Sequence, residues 1–207
     1  TRSQLPSVAI IKEGCLHDSQ VSLELTKGLS PDSIVVFDKA YIHYAQFEAY
    51  QAQQLFFVTR SKVNMSYTVI KDTGQHPVTD IKEAKGVILD QEIEVVTQKA
   101  IKKGPDSQPR RTMRLRLITY QSPENGRVYE FLTNNFRLAA SSIADLYKSR
   151  WQVELFFKLI KQQLKVTSFL GTTKNAVMNQ IWAALCYLLL VRYIQHQTRY
   201  KGPLICL

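Results

Sequence analysis

The sequence predicts an α/β fold with a β-rich segment set into its middle. Three observations carry that prediction. The first 62 residues alternate short apolar runs with helical spacing, residues 63 to about 130 read as strands and turns with no long helix, and two long helical stretches close the chain.

The elements follow in order. "LPSVAIIKEG" (5–14) is a short apolar run ended by Gly14, which suits a buried strand. "HDSQVSLELTKGL" follows with Asp18 as an N-cap candidate, helical spacing of Val21, Leu23 and Leu25, and Gly28 near the stop. "DSIVVFDKA" (32–40) is a β-branched strand ending on Asp38, "YIHYAQFEAYQAQQ" (41–54) the helix after it, and "LFFVTRSK" (55–62) a third strand. Next come the strands "GVILDQEIEVVTQKAI" and "TMRLRLITYQ", joined by "KKGPDSQPRR". "SPENGRVYEFLTNN" adds an Asn-Gly turn and another strand. The closing helices span roughly 139–165 and 174–195, with the break "FLGTTKN" between them. The domain reading is therefore 1–62 and 136–207 as two parts of one core, with 63–135 as a β-rich insertion.

Composition narrows the function. The 207 residues carry a net charge of +10 at a pI near 9.5, which favours a polyanionic partner, nucleic acid before an anionic membrane surface. Cys15, Cys186 and Cys206 show no CxxC spacing, which argues against a disulfide framework or structural zinc and for a reducing cytoplasm. The longest apolar run, "IWAALCYLLLV" (181–191), falls short of a membrane span and reads as a buried core helix, so no membrane partner is expected. The N-terminus "TRSQLPS" has no apolar signal region, and the chain begins at Thr, as a fragment or processed form would.

"YKSRWQVELFFKLIKQQLK" (147–165) has an unusual helical wheel. At about 100° per residue, Tyr147, Arg150, Glu154, Lys158, Lys161 and Lys165 fall within roughly 80° of one another. Apolar residues flank that stripe on both sides. One reading is salt-bridge lacing, with Glu154 and Lys158 as an i,i+4 pair. The other is a helix packed on both sides whose charged stripe lines a groove for metal and phosphate. Asp38, at the end of an apolar strand, is a turn cap or a site carboxylate. Paired with Glu154 it forms the set that two-metal phosphoryl transfer uses, and hard oxygen ligands select Mg²⁺ or Mn²⁺.

The spacing Tyr147-x2-Arg150-x3-Glu154-x6-Lys161 resembles the Y-x2-R-x3-E-x6-K signature of the insertion-sequence-four family of bacterial DDE transposases. "VVFDKAY" resembles that family's second-Asp strand. "FFVTRSK", "FLTNNF" and "LPSVAIIKEGCLHDS" are similar to its neighbouring segments, so the resemblance spans nearly the whole chain. It implies a ribonuclease-H-like (retroviral-integrase-like) core interrupted by a β-rich insertion before the helix that carries Glu154. It implies a two-metal Mg²⁺ or Mn²⁺ site on Asp38 and Glu154, with Tyr147, Arg150 and Lys161 on the transposon-end DNA. The partners implied are end and target DNA and a second copy of the chain, in the nucleoid of a bacterial cytoplasm.

Arg60 and Lys158 are further phosphate candidates. So is the stretch Lys99, Lys102, Lys103, Arg110, Arg111, Arg114 and Arg116, which reads equally as a solvated loop and strand face. Thr133 and Asn134 read as turn residues or as orienting groups. The family's first catalytic Asp has no counterpart here, since Asp18 and Asp32 come after the segment at 5–14. The expected protein is thus a transposase catalytic domain lacking its N-terminal part and inactive alone. The alternatives are a metal-dependent nuclease of the same fold and a non-catalytic DNA-binding remnant. Some relatives stack a flipped base on a Trp of the insertion; Trp151 and Trp182 lie outside it.

Overall fold

β-branched and aromatic runs pair into a sheet because their side chains fill both of its faces. In the computed structural model, which describes residues 10, 18–75, 86–98, 110–163, 171 and 173–199, six such runs form one mixed sheet. The strands are β1 (Ile34–Val36), β2 (Phe56–Arg60), β3 (Tyr67–Gln75), β4 (Val87–Gln98), β5 (Arg111–Gln121) and β6 (Val128–Thr133), in the order β1-β2-β6-β5-β4-β3. β1 and β2 are parallel, and every other pair is antiparallel. The strand expected over 5–14 falls outside the described residues but for Ile10. β3 is a strand that sequence reasoning did not single out. The Asn-Gly turn joins β5 to β6: Gly126 takes φ +68°, and the Asn125 side chain accepts from the Arg127 amide at 3.0 Å.

The chain divides into two compact units, Glu13–Arg150 and Trp151–Leu207 with Thr1–Lys12. In the first, the helices are α1 (Asp18–Thr26), α2 (Tyr44–Ala52) and α3 (Ala140–Ser149). Asp18 is thus the first helical residue of α1 rather than the residue before it. Side-chain alternation along the strands supplies two cores. On one face Phe57, Leu115, Leu117 and Leu132 pack with Phe47 and Tyr50 of α2; on the other Val58, Ile118, Tyr120 and Phe131 pack with Ile143, Ala144 and Tyr147 of α3. The segment expected as an insertion thereby extends the same sheet as β1 and β2.

The approach to β4 depends on Gly86, at φ +83°. A Cβ there would meet the Gln121 carbonyl oxygen at 2.5 Å and the Tyr120 ring at 2.6 Å. Gly86→Ala is expected to cost about 1–3 kcal/mol, read as a lower denaturant midpoint. An unchanged midpoint would show that this approach is not tight.

In the second unit the helices are α4 (Trp151–Gln163) and α5 (Lys174–Thr198), the latter capped by the Thr173 hydroxyl accepting from the Ala176 amide at 3.3 Å. The single helix expected over 139–165 is therefore two, interrupted at Arg150. There the Arg150 amide bonds back to the Tyr147 carbonyl at 3.0 Å and the Ser149 hydroxyl donates to the Leu146 carbonyl at 2.6 Å. Such bonds compete with the i→i−4 ladder and end it.

Two packing expectations are also corrected. Trp151, Val153, Leu155 and Phe157 of α4 are exposed, so the helix is not covered on both flanks of its charged stripe. Of the run 181–191 only Ala184 and Leu188 are buried, while Trp182, Tyr187, Leu189 and Leu190 are exposed. Two helices cannot cover each other's apolar surface all round, and within this unit the described elements are these two alone. By length and composition α5 could cross a membrane, a test that core helices also meet.

Candidate nucleic-acid interface and carboxylate site

Asp38 stands where the parallel pair β1–β2 runs out. The Phe37 amide extends the pairing by donating to the Val58 carbonyl at 3.2 Å. The Phe37 ring is wedged against Phe47, Tyr50 and Phe57, with centroids 6.0–6.1 Å away. One Asp38 oxygen accepts from the Ala40 amide at 3.1 Å and caps a 3₁₀ turn, Lys39–Tyr41. The helix expected over 41–54 is accordingly this turn followed by α2. The other Asp38 oxygen lies 3.9 Å from the Arg150 guanidinium. Asp38 therefore caps a turn with one oxygen and faces Arg150 with the other.

Arg150 reaches Asp38 because α3 is anchored through Ile143, Ala144 and Tyr147. The Tyr147 ring packs 5.0 Å from Phe131, and Arg150 lies over the Tyr147 ring at 5.4 Å. Arg60, at the end of β2, lies over Tyr129 at 5.0 Å. Burial pushes the Tyr147 phenol above the usual tyrosine range; the positive charges of Arg150 and Arg60 oppose the rise and the negative charge of Asp38 adds to it. Asp38, Arg60, Tyr147 and Arg150, from three distant parts of the chain, thus share one electrostatic neighbourhood. Glu154 and Lys158 sit on α4 in the other unit, both exposed, and Lys161 lies on the same helix.

Part of the basic stretch lies among the described residues. Lys99, Lys102 and Lys103 lie outside the described residues. Arg111 pairs with Glu48 at 3.9 Å, Arg114 with Glu92, and Arg116 with Asp90 at 2.6 Å. Those three arginines meet acids of the protein itself, and Arg116 is buried. Thr133 and Asn134 are sheet anchors rather than loose turn residues. Asn134 accepts from the Phe57 amide at 2.8 Å and donates to the Leu55 carbonyl at 3.0 Å, while the Thr133 hydroxyl donates to the Phe57 carbonyl at 2.5 Å. Sequence reasoning missed the roles of Asp90, Arg116 and Asn135. The available signal was period 2 in β5, which places Arg116 on the face of Ile118 and Tyr120.

A transposase DDE domain family model matches residues 1–190. The chain belongs to the transposase DDE domain family. It is 34% identical over 203 residues to the protein y4zB of Sinorhizobium fredii, whose name assigns it to the transposases; the match covers 98% of this chain and 53% of that one. It is 32% identical over 195 residues to a Geobacillus stearothermophilus protein assigned by name as the transposase of insertion sequence element IS5377, covering 94% of this chain and 47% of that one. A shorter match, 35% identical over 52 residues, joins it to a Synechocystis protein named for element IS4SA, with 25% of this chain and 15% of that one covered. The chain spans about half the length of the first two relatives.

DDE transposases use divalent metals, and Asp38 offers the hard oxygen such ions take. Among the described residues no group of three His, Cys, Asp or Glu side chains could hold an ion. In kind the oxygen donors fit Mg²⁺ or Mn²⁺; in number the described ones do not complete a site.

Proposed function

We propose that this chain is the catalytic domain of an insertion-sequence-four-type transposase that cleaves DNA at the element's ends and joins the freed 3′-OH to target DNA. The fold proposed for it is ribonuclease-H-like, with residues 63–135 as the insertion between the core parts 1–62 and 136–207. The observation that carries this reading is the convergence of Asp38, Arg60, Tyr147 and Arg150 in a chain of the DDE family.

Asp38 and Glu154 are proposed as metal ligands. Tyr147, Arg150, Lys161, Arg60 and Lys158 are proposed to hold the end DNA. Two bound divalent ions would activate the attacking oxygen and stabilise the leaving one. Arg150 can donate to a phosphate as it does to a carboxylate, because its planar fork matches both. Tyr147 stays a neutral phenol at physiological pH, since its ionisation is pushed upward, so it donates to phosphate without repelling it. The working assembly is proposed as a dimer on DNA in a bacterial cytoplasm.

The test is a strand-transfer assay with the complete transposase and pre-cut element ends. Joined products support the proposal, and cleavage of intact ends without joining would mark a nuclease of the same fold. On the binding side, Arg150→Gln is expected to weaken end-DNA affinity about tenfold and to lower the salt slope by about one. Unchanged affinity and slope would remove Arg150 from the interface.

A further inference from the structure

Arg116 is a buried cation in a position where period 2 calls for an apolar side chain. Its Nε and Nη2 donate to the two oxygens of Asp90 at 2.7 and 2.6 Å, and its Nη1 donates to the carbonyls of Asn135 and Leu138 at 3.2 and 2.6 Å. Those carbonyls belong to the loop between β6 and α3. The same loop is tied from within: the Asn135 side-chain oxygen accepts from the Arg137 and Leu138 amides at 2.9 Å each, and the Asn135 amide donates to the Thr133 hydroxyl at 3.0 Å.

Two facts make this more than a stabilising pair. First, α3 starts after Ala139 with no side-chain cap of its own, so its starting point is set by the loop before it. Second, a buried ion pair is weak evidence for stability, because apolar residues of similar volume usually serve the fold as well. What a planar fork adds is direction: its Nε and Nη2 take the Asp90 carboxylate while Nη1 reaches the two loop carbonyls. At the far end of α3, ten residues long, stand Tyr147 and Arg150.

We propose that Arg116, held by Asp90, is a positioning residue that clamps the Asn135–Leu138 loop, sets the seat of α3, and so holds Tyr147 and Arg150 beside Asp38 ready for a DNA phosphate. This deepens the functional reading above and rests on it for the DNA step alone. The chemistry of the clamp is carboxylate–guanidinium–carbonyl, and Arg116 itself does not touch DNA.

The experiment compares the complete chain with a double variant, Asp90→Leu with Arg116→Met, which removes both charges together, so that neither is left buried without the other, and frees the Asn135 and Leu138 carbonyls from the clamp. Three quantities are read: the thermal midpoint, the affinity for a short duplex taken from the element's end, and the ionisation of Tyr147. The last is followed by tyrosinate absorbance as the difference between each protein and its Tyr147→Phe counterpart. Expected are a folded variant, end-DNA affinity lower by about tenfold, and a Tyr147 ionisation that falls back toward the ordinary tyrosine range as the ring loses its seat. If the double variant does not fold, Arg116→Lys carries the same readings, because an ammonium keeps the charge but cannot span the carboxylate and both carbonyls.

A variant whose midpoint drops while Tyr147 ionisation and DNA affinity stay as in the parent would overturn the proposal and leave the pair a fold-stabilising contact. If the parent chain has no affinity for the end duplex, the functional reading fails. The Tyr147 ionisation then still decides the clamp.

Discussion

Asp38→Asn in the complete transposase is expected to lower strand cleavage by roughly 10³-fold or more, with the melting temperature close to that of the parent. The two halves of this expectation come from the two oxygens of the side chain. One caps the Lys39–Tyr41 turn by accepting from the Ala40 amide, and an Asn oxygen can do the same. The other faces Arg150 at 3.9 Å, and there Asn brings no charge with which to hold a cation. A gel assay of end cleavage beside a melting curve checks both. Activity within about tenfold of the parent, at unchanged stability, would show that Asp38 is only a turn cap.

Phe57→Ala is expected to cost about 3–5 kcal/mol of folding stability, the largest structural effect of a single truncation anticipated in this chain. Phe57 is fully buried at the centre of β2 and stacks on Phe47 with centroids 4.1 Å apart and planes 20° apart. It also supports Phe37, the residue immediately before Asp38. Truncation leaves a cavity lined by Phe37, Phe47 and Tyr50, rings too rigid to collapse into it. Urea unfolding followed by fluorescence measures the loss. A change under about 1 kcal/mol would mean that these aromatics repack freely.

Asp38 and the Tyr147–Arg150–Glu154–Lys161 spacing were legible in the sequence because both are local patterns: a carboxylate closing a β-branched run, and a fixed series along a helical stretch. The strands within 32–40 and 55–62 and the Asn125–Gly126 turn were legible for the same reason. What was not legible is non-local. Nothing in "FLTNN" announces that β6 will lie beside β2, or that Asn134 will bond the backbone on either side of Phe56. Arg111, Arg114 and Arg116 read as a phosphate track because their acidic partners lie on α2 and β4, brought opposite them only by tertiary pairing. The interruption at Arg150 was hidden because it depends on where the Ser149 hydroxyl turns. The apolar wheel of α4 suggested burial on both flanks; a wheel counts side chains and cannot supply the neighbours that would cover them.

The outer strand β3 has a consequence for how the protein behaves at high concentration. Its pairing with β4 slips register twice, between Val69 and Lys71 and again between Asp72 and Gly74, and Tyr67, Val69 and Ile70 stand exposed along it. A straight strand with those side chains would offer a free ladder of amides and carbonyls to the next molecule. The two slips twist that ladder out of line. The irregularities of β3 thus keep an apolar border from seeding ordered aggregates, and a change that straightened them would favour fibre formation over solubility.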